Sequence, residues 1–342
     1  MVPGPLVFEP IYKPRIWGGD RIFRHFGRDR PFSGPIGESW ELSDIPEGRS
    51  VVARGPAAGR TLGQLVAEEG AAILGDVGLI DGCFPLLIKF IDARQWLSVQ
   101  VHPPEAVARR MGGSVRVKHE AWYVLDAEAE GAIYHGLEPG IDRETFRQAM
   151  LAGRIDGVLR KVPARPGDCF DLPSGTVHAL GAGVLVAEVQ TPSDTTFRTY
   201  DWGRIDPATG RPRDLHLEEA LECIDFSAPP PPPMQPRSHM GTLSTTVTRL
   251  CANRFFVIEK VRMAEGTRRT VPCDEPVAWI VLEGGGRLFA KDRAEPFVFA
   301  RGDVLLLPAA LGEVTVEIDR DARWLETTIP AGGRPAGAED RP

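Results

Sequence analysis

The sequence predicts a mainly β protein, a sandwich or barrel rather than a helical bundle. Three observations carry this. Runs of strand character are short and numerous, and the 342-residue chain breaks them with 37 glycines and 31 prolines. Helical periodicity is confined to a few short stretches. Pro166-Gly167-Asp168 leads to Pro173, and Arg301-Gly302-Asp303 leads to Pro308 at the same interval, as two copies of one β module would.

The elements follow in order. Ile36-Gly37-Glu38-Ser39-Trp40-Glu41-Leu42 alternates polar and apolar residues and reads as a strand. Thr61 is the N-cap of a helical spacing that runs to Glu69. Phe84 to Ala93 is apolar except for Lys89 and Asp92. A charge inside a core strand is costly unless paired, so Lys89 is either paired internally or turned into a site. Ala121 to Leu125 and Gly131 to Gly136 read as strands around an acidic turn, Asp142 to Leu151 as a short exposed helix, and Leu215 to Ile224 as another helix. Val162 to Leu172 and Gly183 to Gln190 return to strand character. The prolines at 229–233 suit an extended polyproline linker. Strand patterns resume at Phe255 to Val261, Val277 to Leu282, Gly286 to Ala290 and Val304 to Leu307. The expected division is a catalytic module over 1–228 with helical embellishments, a linker over 229–235, a second module over 236–330 and a flexible tail over 331–342.

Composition narrows the function. A net charge of −7 argues against a general nucleic-acid binder. Five cysteines, an odd number without CxxC spacing, suit a reduced cytoplasmic protein. The amino terminus has no basic region followed by an apolar run, so no signal peptide is expected, and no apolar segment is long enough to cross a bilayer. The expected partner is a small molecule, neither nucleic acid nor membrane, with the chain a monomer or homodimer.

Chemistry concentrates between Leu97 and Tyr123 and between Asp168 and His178. Gln100 and His102 sit two apart, so in a strand both point to one face while Val99 and Val101 pack the other way. Glu120 and His178 complete a set of imidazole, carboxylate and amide donors suited to zinc or another borderline divalent ion. Each residue alone has a plainer reading: Gln100 as an inward amide, His102 as a turn histidine before Pro103, Glu120 as a solvated carboxylate. His25, His135, His216 and His239 read as structural or exposed, Trp40 and Trp122 as core, and the cysteines as small core hydrophobes.

Gly167, then Pro173-Ser174-Gly175, then His178 resembles the second motif of the cupins, although Ala182 stands where many cupins carry asparagine. A narrower resemblance runs in order through Trp17-Gly18-Gly19, Gly37-Glu38-Ser39-Trp40-Glu41, Leu97 to Pro103, Lys118-His119-Glu120-Ala121-Trp122-Tyr123, and Glu188-Val189-Gln190 to Arg204. These stretches resemble type I phosphomannose isomerase in its short bacterial form. The resemblance implies two cupin-type jelly-roll β-barrel modules with a few short helices. It implies one zinc ion per chain on Gln100, His102, Glu120 and His178, with Arg198 and Lys118 as catalytic residues. Lys89, Ser98 and His119 are the candidate substrate contacts, and His119 stands where relatives carry a small polar residue. The implied reaction interconverts mannose 6-phosphate and fructose 6-phosphate through an enediol(ate). Two other readings are a metal-dependent cupin oxygenase and a non-catalytic sugar-phosphate-binding cupin. Gln100 with the Lys118 and Arg198 cations speaks against the first, and the intact ligand set against the second.

Overall fold

The structure, a computed structural model, describes residues 4–330 apart from 32, 208, 230, 232–235, 292 and 294. Most of the expected linker at 229–235, the whole tail at 331–342 and the side chain of His239 lie outside the described residues. The fold is mainly β with cupin-like sheets. No helix among the described residues is long and apolar enough to cross a membrane.

Contacts group the chain into two units that interleave in sequence. One comprises residues 1–11, 41–86 and 234–342, and the other residues 12–40 and 87–233. Two early segments therefore belong with the C-terminal strands, whereas the sequence-based division ran unbroken to 228. The cause is visible in the pairing, because Leu6–Val7 adds a strand beside Val304–Leu307 with Leu6 opposite Leu306.

The first unit holds a nine-stranded sheet around a core in which Trp279 and Trp324 stack at 4.6 Å. Its helix Leu62–Leu74 starts as the sequence predicts: Thr61 Oγ1 accepts from the Gln64 amide and Gln64 Oε1 accepts from the Thr61 amide. The two predicted strands at 277–282 and 286–290 are one long strand, Val277–Ala290, irregular between Val281 and Gly286. Gly284, with φ of +69°, supplies the left-handed residue at that irregularity.

The second unit carries two antiparallel sheets. One runs Cys169–Leu172, Glu120–Ala127, Val184–Gln190, Leu87–Ala93, Ile36–Leu42, Ile11–Gly19. The other runs Leu159–Pro163, Ala132–Leu137, His178–Leu180, Val99–Val101, Phe197–Tyr200. Trp122, Val124, Val186 and Ile91 from the first meet Ile133 and Leu180 from the second in one buried cluster. The run expected as strand from Val162 to Leu172 splits between the sheets, because Pro166-Gly167 turns the chain and Gly167 takes φ of +97°. The predicted helices at 142–151 and 215–224 appear as Arg143–Leu151, capped by Asp142, and Leu217–Cys223. Two short helices were not anticipated, Arg21–Phe26 and Glu105–Met111. Cys169, Cys223, Cys251 and Cys273 are buried and unbridged, as small hydrophobes are.

The internal echo has a structural counterpart. Gly167 donates to the Val124 carbonyl and Val124 to the Asp168 carbonyl; Gly302 donates to Val281 and Val281 to Asp303 in the same pattern. Across the strands, Trp122 faces Glu188 and Glu188 faces Lys89, while Trp279 faces Glu326 and Glu326 faces Glu259.

The motif glycine Gly18 is explained by backbone approach. A Cβ built on it would lie 2.4 Å from the Gly37 amide nitrogen and from the Ile36 carbonyl carbon on the neighbouring strand. Backbone on both sides cannot give way as a side-chain tip would. Gly18→Ala is expected to lower the unfolding free energy by about 1–3 kcal/mol, the usual cost of overpacking, measured by urea denaturation against wild type.

Candidate functional site

The five-stranded sheet lays four polar residues in a row. His178 lies opposite His135 on one side and Gln100 on the other, and Gln100 lies opposite Arg198. Directly opposed residues on antiparallel strands share a face, so topology alone gathers them. The six-stranded sheet contributes Lys89, Glu188 and Trp122 as a second row, with Glu120 two residues before Trp122 on the same side. His102 follows the end of Val99–Val101, where Pro103 stops the strand.

Side chains from both sheets converge at one buried point. Glu120 and His178 are 0% exposed and His102 is 1% exposed. His102 Nε2 lies 3.2 Å and His178 Nε2 2.9 Å from Glu120 Oε1. The Gln100 amide reaches His178 Nε2 at 3.3 Å, and exchanging its O and N would turn the oxygen to the same point.

The histidine tautomers decide what this arrangement is for. His102 Nδ1 lies 3.0 Å from the Thr195 carbonyl, and His178 Nδ1 lies 2.8 Å from the Thr176 carbonyl. A carbonyl only accepts, so each Nδ1 carries a proton and each Nε2 is the ring nitrogen turned to Glu120. Burial and the Lys118 charge push the His102 pKa down to about 3, which keeps that ring neutral. Burial opposes ionisation of Glu120, but Lys118 and His102 hold its carboxyl well below the usual carboxylate range. Two imidazole Nε2 atoms and a carboxylate thus face one another. Glu120 Oε2 is also buried without a well-aligned hydrogen bond, with Lys118 Nζ 3.1 Å away. That donor set fits a cation, and the Nδ1 bonds are the outer anchors that metal-ligating histidines use. Among the described residues, His102, Glu120 and His178 form the group whose donor atoms lie close enough together to hold a metal ion.

Gln100 and Lys118 also line a cavity of about 920 Å³, so the cluster sits directly behind its wall. Ser98, Lys89 and Arg198 line the same cavity, together with Arg15, Glu38, Glu188, Asp194, Arg204 and Arg213. Lys89 meets both alternatives read from the sequence: it faces the cavity and is paired, 3.3 Å from Glu188 and 3.6 Å from Asp194. Burial works against its charge, but Glu188, Asp194 and Glu38 outweigh it and raise its pKa. Burial also opposes charge on Glu38, where Lys89 and Arg15 win and hold the carboxyl down to about 2. His119 is placed differently from its candidate role. Its ring turns to Asp171 at 2.9 Å and does not line the cavity, because in an extended run the residue between Lys118 and Glu120 points the other way.

Sequence reasoning missed Glu188, which burial and the nearby Glu120 charge push to a raised pKa while Lys89 opposes them. The signal existed: a lone glutamate in the apolar run Val184–Gln190 poses the same problem as Lys89, and the two are cross-strand partners. Arg204 and Arg213, both held by Asp201, were also missed.

A family model described as phosphomannose isomerase type I, catalytic domain, matches residues 6–133. The chain is 37% identical over 318 residues to mannose-6-phosphate isomerase ManA of Bacillus subtilis (strain 168), covering 93% of this chain and 97% of that protein. It is 38% identical over 306 residues to the mannose-6-phosphate isomerase of Streptococcus mutans serotype c (strain ATCC 700610 / UA159), covering 89% and 92%. The crystal structure of the mannose 6-phosphate isomerase from Bacillus subtilis matches with a TM-score of 0.86 at 30% identity, over 96% of this chain and 100% of that one.

Two outcomes are expected. His178→Ala should lose most bound divalent metal when the purified protein is assayed by elemental analysis; full occupancy would remove His178 from the ligand set. Burial lowers the His135 pKa to about 4 from its ordinary 6.5. The unfolded chain then binds the proton more tightly, so stability is whole above about pH 6.5 and falls as pH drops toward 4. Urea melts of wild type and His135→Gln across that window should show a shallower pH slope in the variant.

Proposed function

The chain belongs to the type I phosphomannose isomerase family, and from that premise we propose that it interconverts mannose 6-phosphate and fructose 6-phosphate at the cavity over the Gln100, His102, Glu120 and His178 cluster. The observation that carries this is the convergence of two imidazole Nε2 atoms and a carboxylate behind a cavity rich in cations. Zinc fits the imidazole and carboxylate donors. A divalent ion held there would supply Lewis acidity beside the substrate oxygens, which stabilises the negative charge of an enediolate.

The reaction moves the hydroxyl proton from O2 to O1 of the open-chain sugar, by exchange with water, and one proton from C2 to C1. Glu188 is the group placed to carry it. Its Oε2 accepts from Trp122 Nε1 at 2.8 Å, its Oε1 lies 3.3 Å from Lys89 Nζ without a well-aligned hydrogen bond, and the residue lines the cavity. Its raised pKa makes it a better base than an ordinary carboxylate. Glu188 takes the proton from C2 and returns it to C1, and the reverse steps run the reaction backwards. Lys118, ion-paired with Glu120, is a fixed positive charge beside the reacting oxygens rather than a free base.

Arg198 presents a buried Nε without a hydrogen-bond partner to the cavity, its Nη1 tied to the Asp214 carbonyl at 2.8 Å. It holds developing charge at O1 and O2. Ser98 is a neutral donor on the same wall. Lys89 is already neutralised by Glu188 and Asp194, so it tunes the base more than it holds phosphate. The phosphate belongs at the end where Arg204 and Arg213 add positive charge.

A coupled assay with mannose 6-phosphate tests the reading. Turnover should vanish with a chelator and return with zinc; oxygen uptake, or binding without turnover, would each overturn it. Glu188→Gln should lose about 10²–10⁴-fold in kcat, the usual worth of a positioned base. Arg198→Ala should retain metal and lose most turnover.

A further inference from the structure

We propose that Asp201 is a positioning residue that sets the enzyme's preference for phosphorylated sugars, by holding Arg204 and Arg213 at one end of the cavity. This rests on the sugar-phosphate reading above. Asp201 is buried, 6% exposed, and does not itself line the cavity. Its carboxylate accepts from both nitrogens of the Arg213 fork, Nε at 2.8 Å and Nη2 at 2.5 Å, and also from Arg204 Nη2. One carboxylate therefore orders two guanidinium groups that do line the cavity. Arg204 Nε stays buried without a hydrogen-bond partner, as does Arg198 Nε.

The charge balance locates the anion. Elsewhere along the wall each cation has a carboxylate of its own: Arg15 lies 2.6 Å from Glu38, Lys89 lies between Glu188 and Asp194, and Lys118 meets Glu120. At the other end, Arg204 and Arg213 bond to the one carboxylate of Asp201, Arg198 donates to the Asp214 carbonyl, and Asp206 also lines the wall. The Arg204–Asp201–Arg213 group carries two positive charges against one negative, which a phosphate compensates and an uncharged sugar end does not.

The turn that carries Asp201 is fastened at several points. Trp202 adopts a left-handed φ of +59°, an unusual conformation for a bulky residue. Its Nε1 donates to the Leu97 carbonyl at 2.7 Å, and Arg204 Nη1 donates to the Trp96 carbonyl at 2.5 Å. Trp96 and Leu97 directly precede Ser98 and Gln100, so the arginine end is pinned to the strand that carries a metal-site residue. Arg204 and Arg213 also bracket the hairpin Ile205–Asp206 with Arg211–Pro212, whose Ile205 and Asp206 line the cavity. Releasing Asp201 frees both arginines and the hairpin between them.

The test compares wild type with Asp201→Asn and Arg213→Gln, each checked for metal content and thermal unfolding. Asn keeps the size of the side chain and removes its charge. The expected result is a rise of about ten- to hundred-fold in KM for mannose 6-phosphate, with kcat falling far less. The inhibition constant of inorganic phosphate should weaken in parallel. If Asp201→Asn does not fold, Arg213→Gln carries the same expectation. A variant that folds, keeps its metal and leaves KM and phosphate inhibition unchanged overturns the proposal. So does one that loses kcat alone, since that places Asp201 with the chemistry. Absence of mannose 6-phosphate turnover in wild type would instead sink the proposed function.

Discussion

The second unit is organised around three buried donors that one cation would tie together. Two imidazole nitrogens and a carboxylate oxygen approach within about hydrogen-bond distance in a place closed to water. The protein holds them there because each is anchored from behind: His102 and His178 by backbone carbonyls, Glu120 by its strand between Cys169–Leu172 and Val184–Gln190. Leaving such groups uncompensated is costly in a low-dielectric interior. The sheets that face each other across the Trp122 cluster are thus committed to chemistry as much as to packing.

The cavity wall extends the same logic outward. Arg15, Glu38, Lys89, Glu188, Glu120 and Lys118 form a chain of charged neighbours that alternates in sign except where Glu188 meets Glu120. No single pair explains any member. Glu38 ionises readily although burial opposes it, because two cations flank it; Glu188 stays harder to ionise because Glu120 is close and only Lys89 compensates strongly. The result is two carboxylates on one wall with divergent proton affinities, Glu38 held ionised and Glu188 harder to ionise.

Much of this was legible in the sequence, and the limits have physical causes. Period-two alternation placed Gln100 and His102 together, and a costly charge in an apolar run marked Lys89. The same two rules, applied once more, would have turned His119 away from the site and marked Glu188. The long strand Gly312–Thr328 also alternates through Val314, Val316 and Ile318, and its charges hid it. Arg204 and Arg213 were beyond reach, since nothing local indicates that a carboxylate at 201 gathers them. Nor does any local pattern show that Leu6–Val7 completes a sheet with Val304–Leu307: partner choice between distant strands is a tertiary fact.

The two β modules share a Trp–Glu register but differ in the charges around it. Val277 stands in the strand position that Glu120 occupies, two residues before its tryptophan, and Glu259 stands where Lys89 does. One exchange deletes an anionic donor and the other inverts a charge, yet the indole and the carboxylate opposite it persist in both copies. The C-terminal sheet thus repeats an indole facing a carboxylate without the Glu120 donor or the Lys89 charge beside it.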